Sequence, residues 1–391
     1  MARRPIRILA SRAGSRAITS ELTRRGFLAV AAGSGATAFL AACSGPSTSE
    51  APTASGGALE DALAIYTWGD YDAPETLTDF TSEQGPQITL DSYSSNEEMI
   101  ARLVAANGTS GFDIIVPTGV FIPQLIEQGL VQELNQDLIP NLSNLDPAFA
   151  GQDWDPDNRY SICKDWGTTG FVFDSTVITR DLQTWEDFLD AAQNEASGRT
   201  SVLDAPEDLT GLYFWSNGIP WTTTDEADLD AAEDFLVNTL AQHISAFDSY
   251  PGSGAMQQGT QILMQCWNGD ARLGILESED PDRWQWRLGA PDTELWMDNW
   301  CIPTGAPHPE AAHAFIDYVL DPTVSLQELD YIGYHTGVAG IEEAAIAEGL
   351  ERTDIVFFTE EQLATMHNGE VNEAQPRGVE IWNAMKAAAG Q

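Results

Sequence analysis

The chain has 391 residues and carries 60 acidic against 18 basic side chains, a formal charge of −42. The first 42 residues hold seven arginines and one glutamate, so without them the net charge becomes −48 on about 349 residues. That balance excludes a nucleic-acid or anionic-membrane surface as partner, because either needs clustered Lys and Arg, while the length suffices for two lobes.

Arg3, Arg4, Arg7, Arg12, Arg16, Arg24 and Arg25 form a basic leader, and Thr23-Arg24-Arg25-Gly26-Phe27-Leu28 has the twin-arginine form of a signal for folded cargo. The apolar run from Gly26 to Ala42 is short and studded with Gly, Ser and Thr, whereas a membrane span needs about 20 apolar residues. It ends at Leu40-Ala41-Ala42-Cys43, which resembles the lipobox of bacterial lipoproteins, with Cys43 as the acylated new N-terminus. Residues 1–42 are therefore expected to be an export signal. Residues 43–60, rich in Ser, Thr, Pro, Gly and Ala, are expected to be a flexible tether to the extracytoplasmic face of the membrane, touched only through the lipid.

Leu63 to Trp68, Gln87 to Tyr93 and Phe112 to Pro117 read as strands, the last with the continuous apolar core of a covered parallel strand. Between them Asn96 to Asn107 reads as a helix: Ser95 and Glu98 suit a capping box, Met99, Leu103 and Val104 share a face, and Gly108 stops it. A second helix, Ile122 to Gln128, ends at Gly129. This alternation implies an open, mostly parallel sheet. A polar passage from Asn135 to Asn158 interrupts it. Strand-like segments resume at Phe171 to Phe173, Ser201 to Leu203, Ile244 to Phe247, Ile262 to Trp267 and Gln285 to Leu288, as in a second α/β lobe. Trp300 to Pro303 reads as a strand before the helix Pro309 to Leu320.

Sheets of this kind place ligands beyond the carboxyl ends of their strands. Trp68, Asp70 and Tyr71 follow the first strand, Asp204 and Glu207 follow Ser201 to Leu203, and Trp267 and Asp270 follow Ile262 to Cys266. Trp296 and Asp298 precede the Trp300 strand, and Tyr334 follows Ile332-Gly333. An aromatic beside a carboxylate, repeated, is what a desolvated organic ammonium requires. The charge-assisted hydrogen bond contributes about 1.5 to 3 kcal/mol and a ring face about 2 kcal/mol, so two such sets reach micromolar binding, about −8 kcal/mol. For any Trp taken alone, core packing is the simpler reading, and for any lone Asp, a solvated surface. No P-loop, dinucleotide glycine motif, Gly-x-Ser-x-Gly elbow or zinc-ligand His pair is present, and neither a cofactor nor a metal is expected.

Tyr66-Thr67-Trp68-Gly69-Asp70-Tyr71, Tyr93-Ser94-Ser95-Asn96-Glu97, Phe112-Asp113-Ile114-Ile115-Val116-Pro117, Asp204-Ala205-Pro206-Glu207, Trp267-Asn268-Gly269-Asp270, Trp296-Met297-Asp298 and Ile332-Gly333-Tyr334 resemble, in order and spacing, the spermidine/putrescine-binding proteins of polyamine ABC importers. The resemblance runs with gaps from about Leu63 to the C-terminus. It implies a two-lobed α/β fold of the periplasmic-binding-protein kind (type II), with a ligand cleft between lobes joined by hinge crossings. The expected lobes are 61–164 with 299–337 and 165–298 with 338–391. Further implied are a monomer that is not an enzyme, a polyamine ligand and an ABC permease partner. By position Trp68, Tyr71, Trp267, Trp296 and Tyr334 form the aromatic box, Asp70, Asp204, Glu207, Asp270 and Asp298 hold the amines, and Thr118 adds a polar contact. Asp204 and Glu207, at a helix start, are expected to stay ionised there.

The resemblance also makes neighbours of the crossings near Cys163 and Cys301. A disulfide between them and three free thiols, with Cys266, are both compatible with it. Gly69, Val120 and Asn372 depart from the family pattern. Asp270 is similar to the putrescine type and Trp296-Met297-Asp298 to the spermidine type, leaving the chain length of the ligand open. The competing readings are a binding protein for a sugar, thiamine or an amino acid, and an exported glycoside hydrolase using paired carboxylates.

Overall fold

The computed structural model describes residues 53–391. The export signal, Cys43 and the tether as far as residue 52 lie outside the described residues. Beyond them the tether differs from expectation, because its end is fastened to the body. The Glu310 carboxylate accepts hydrogen bonds from the backbone N–H groups of Ser55, Gly56 and Gly57 at 2.7, 3.2 and 2.9 Å, and Asn135 Nδ2 donates to the Ala54 carbonyl at 3.3 Å.

The first sheet holds β1 (Ala62–Trp68), β2 (Gln87–Tyr93) and β3 (Ile114–Ile115), parallel and ordered β2-β1-β3. β3 is shorter than the expected Phe112 to Pro117. Its ladder with β1 covers only Ile114 and Ile115, and Pro117 has no N–H with which to extend it. The helix Asn96–Ala106 is capped by Ser95 Oγ, which accepts from Glu98 N at 3.1 Å. Glu98 itself turns to the N–H and hydroxyl of Ser94, leaving the capping box half closed. Met99, Ile100 and Leu103 are buried, but Val104 is 52 % exposed. At about 100° per residue the stripe is centred between Ile100 and Leu103, and Val104 falls off its edge.

The second sheet is mixed rather than mostly parallel. It comprises β4 (Ile162–Asp174), β5 (Thr200–Val202), β6 (Ile244–Phe247), β7 (Leu263–Trp267), β8 (Trp284–Arg287), β9 (Thr293–Trp300) and β10 (Met366–Asn368). The order is β10-β9-β4-β7-β5-β6, with β8 also on β4. β4 runs antiparallel to β7, β8 and β9, while β5 is parallel to β6 and β7. β4 starts at Ile162, well before Phe171. Its whole length is buried, including Lys164, Asp165, Thr168 and Thr169, whose polarity hides the strand from a hydrophobic pattern.

β4 and β9 lie side by side from Ile162 opposite Trp300 to Thr168 opposite Leu295. The end of β9 meets the first sheet through bridges between Ile115 and Cys301 and between Thr118 and Asp298, so this ribbon carries the chain between the two sheets. Separate apolar clusters sit on either side. Phe171, Trp185, Phe188 and Trp215 centre one, Leu63, Phe80, Trp300 and Phe315 another.

Cys163, Cys266 and Cys301 are buried free thiols. Cys163 packs with Leu145 and Trp166, while Cys301 packs with Tyr66 and Ile115 in a different cluster, so the crossing strands turn the two sulfurs to different cores.

Candidate ligand-binding cleft

A cavity of about 550 Å³ opens where strand ends of the two sheets face each other, and all eleven expected ligand residues line it. From the first sheet, Trp68 is the last residue of β1, with Asp70 and Tyr71 in the turn beyond. Trp68 is oriented by a 3.1 Å bond from its Nε1 to the Val116 carbonyl and by Tyr93 edge-on at 4.7 Å.

Asp298, on β9, is the most elaborately held acid. Its Oδ1 accepts from Thr118 Oγ1 at 2.7 Å and its Oδ2 from the Tyr71 hydroxyl at 3.0 Å. Thr118 is itself fixed by Asn96, which exchanges two 3.0 Å bonds with it. The single Tyr71 proton also faces Asp165 at short range, so two carboxyls compete for one donor. Burial, then the Asp165 charge, raises Asp298 to about 7. Behind them Lys164 donates to Asp165 at 3.0 Å and to the Tyr71 carbonyl at 2.7 Å. Burial works against this ammonium, but Asp165 and Asp72 overcome it and raise its pKa.

The ring faces are supplied by packing. Trp296, two residues before Asp298, meets Tyr334 edge-on at 4.8 Å, and Tyr71 meets Tyr334 at 6.2 Å. These contacts need small neighbours. A Cβ on Gly167 would come within 2.4 Å of Trp296, and one on Gly269 within 2.4 Å of Tyr334. Trp296 and Asp298 lie on β9 itself rather than before it, because the strand starts at Thr293. Tyr334 follows the left-handed Gly333 that ends the helix Pro322–Ile332.

Trp267 closes β7 and begins the helix Asn268–Glu277, whose first turn carries Asp270. Asp270 accepts from Gly252 N at 2.8 Å, and burial raises it to about 6. Glu207 sits in the first turn of the helix Pro206–Asn217, exposed at the edge of the cleft. The surroundings of its carboxyl raise it to about 7, against the pull of the helix start. Asp204 is already neutralised. Lys386 Nζ donates to its two oxygens at 2.7 and 3.0 Å, and Trp382 Nε1 adds 3.0 Å.

Among the lining residues outside the expected set are Tyr250, Asp208 and Glu294. Glu294 was legible once β9 was known to include it, since it shares the face of Trp296 and Asp298. Altogether ten acidic residues line the cleft and no Lys, Arg or His does. Arg272 and Arg283 face elsewhere, bonded to the Glu351 carbonyl and to Asp174 respectively. Among the described residues, no group of three or more His, Cys, Asp or Glu is arranged to hold a metal.

The sequence profile of the bacterial extracellular solute-binding proteins matches residues 75–350. The putrescine/agmatine-binding protein of Pseudomonas aeruginosa is 27% identical over 350 residues, 85% of this chain and 94% of its own length. The spermidine/putrescine-binding periplasmic protein of Escherichia coli is 29% identical over 276 residues, 70% of this chain and 77% of its own. The crystal structure of a spermidine/putrescine ABC transporter substrate-binding protein from Streptococcus pneumoniae superposes with a TM-score of 0.71 at 26% identity, covering 84% of this chain and 100% of that one. With the profile spanning well over half its length, and with the two-lobed α/β fold of these binding proteins, the chain belongs to the bacterial extracellular solute-binding protein family.

Proposed function

We infer that this protein captures a polyamine of the putrescine/spermidine class outside the cytoplasm and delivers it to the permease of an ABC importer, without catalysis. The carrying observation is a cleft with ten acidic residues, several ring faces and no basic side chain. Names of relatives agree with the reading. An amino-acid ligand would need a cation opposite its carboxylate, and a sugar has no use for so much unpaired negative charge.

In this reading Asp298, Asp270 and Glu207 accept the ammonium N–H groups, with Asp70 at the mouth. Trp267, Trp296, Tyr334, Tyr71 and Trp68 cover the methylenes and attract the charge. An arriving ammonium replaces the proton that raised carboxyls retain, so Asp298 ionises as the ligand seats. Asp204 serves instead to fix the C-terminal helix through Lys386. Residues 61–164 with 299–337 and 165–298 with 338–391 are taken as the lobes that close on the ligand. Twin-arginine export and a lipid on Cys43 would hold the monomer at the membrane.

Calorimetric titration with putrescine, spermidine, spermine and glycine betaine tests this. Saturable binding of the primary amines, with little heat from betaine, is expected. Absence of binding by every polyamine would overturn the reading.

A further inference from the structure

Alternation along β9 puts Glu294, Trp296 and Asp298 on one face, and all three line the cleft; Leu295 and Met297 border it as well and also pack with the apolar cluster behind. At about 3.3 Å per residue, Glu294 and Asp298 stand about 13 Å apart along the strand, with the Trp296 ring between them. Four methylenes fall well short of that separation. Two alkyl spacers joined by a nitrogen approach it.

Asp208 reaches the same end of the cleft from the first turn of its helix. The Thr169 hydroxyl lies 2.5 Å from Asp208 Oδ1 and 3.2 Å from Glu294 Oε2. A hydroxyl has one proton. The two carboxyls therefore compete for that single donor. Burial, then the Asp208 charge, raises Glu294 well above the usual range, and burial raises Asp208 to about 6, in keeping with that arrangement. Asp208 is only 4 % exposed, a depth at which a carboxylate ordinarily has a cationic partner. The two lysines of the chain are engaged elsewhere, one on Asp165 and the other on Asp204, and no basic residue lines the cleft.

We propose that Asp208 and Glu294 form a distal ammonium subsite, which together with Asp298 selects triamines and longer polyamines over a four-carbon diamine. The proposal rests on the polyamine reading of the cleft and deepens it, assigning specificity to two residues outside the aromatic box and its acids.

The test is calorimetric titration of the mature protein at pH 7.5 with putrescine, spermidine and spermine, for wild type and for the double variant D208N/E294Q. The wild type is expected to bind spermidine at least about tenfold more tightly than putrescine, the value of one added charge-assisted contact. In D208N/E294Q, its fold checked by circular dichroism, that ratio should collapse toward one. A wild-type ratio near one, or a ratio unchanged in the variant, overturns the distal subsite and leaves the polyamine reading standing. No binding of any amine by the wild type ends both. Should the double variant fail to fold, unbranched diamines of increasing length titrated into the wild type decide the matter: affinity should climb once the second nitrogen reaches Glu294, and a flat series overturns the proposal.

Discussion

Asp298, proposed above as an acceptor of the ligand's ammonium, would link ligand affinity to pH. Its carboxyl, like that of Glu207, is raised to about 7, and that of Asp270 to about 6, in each case chiefly by burial. A bound ammonium favours the ionised forms, so affinity should be full above pH 8 and fall as pH drops through 7 and 6. Titrations at several pH values check this, and a flat profile would contradict it. The stability of the unliganded protein should run the other way. Between the ordinary carboxylate range and pH 7 the folded state binds more protons than the unfolded chain, so stability from these groups is lost as pH rises through that window. Asp298→Asn is expected to weaken amine binding by about 10- to 100-fold, the range of one charge-assisted hydrogen bond. Affinity within twofold of wild type would remove Asp298 from the site. Trp267→Ala should cost about tenfold or more through loss of the ring face, measured in the same way.

At the scale of elements, strand ends do most of the positioning. β1 and β7 finish on Trp68 and Trp267, and β9 displays an acid, a ring and another acid on one face. β4 supplies the floor, where Gly167 leaves room for Trp296. Gly167→Ala is therefore expected to destabilise the protein by about 1 to 3 kcal/mol through overpacking, seen as a lower melting temperature, and to loosen ligand binding by displacing the ring. An unchanged melting temperature would show that Trp296 can move freely. Strand-like patterns marked β1, β2, β6 and β7 in the sequence almost to the residue. β4 and the start of β9 escaped because polar residues facing inward interrupt their patterns: Lys164 and Asp165 pair with each other, and Glu294 meets the Thr169 hydroxyl beside Asp208. Such compensation comes from partners distant in sequence.

For the whole molecule, the −48 charge of the chain without residues 1–42 lies mainly outside the cleft, which accounts for ten acidic residues. Mutual repulsion of the remainder should destabilise the compact state at low ionic strength. The melting temperature is expected to rise from low to molar salt, where the Debye length falls to about 3 Å, and an unchanged value would argue against this. Affinity for amines should drop less steeply across the same range if the buried contacts dominate.

The sequence by itself determined the two-lobed α/β architecture, the acidic and aromatic character of the cleft and eleven of the residues that line it, because these follow from patterns local to strand ends and from family spacing. Only the tertiary structure decided how those acids are partnered within the protein. Lys386 pairs with Asp204, the surroundings of Asp298 and Glu207 raise both carboxyls to about 7, and Asp208 and Glu294 come together across 86 residues of chain. The state of a carboxyl is set by the dielectric and charges that surround it in space, and neighbours along the chain carry little of that information.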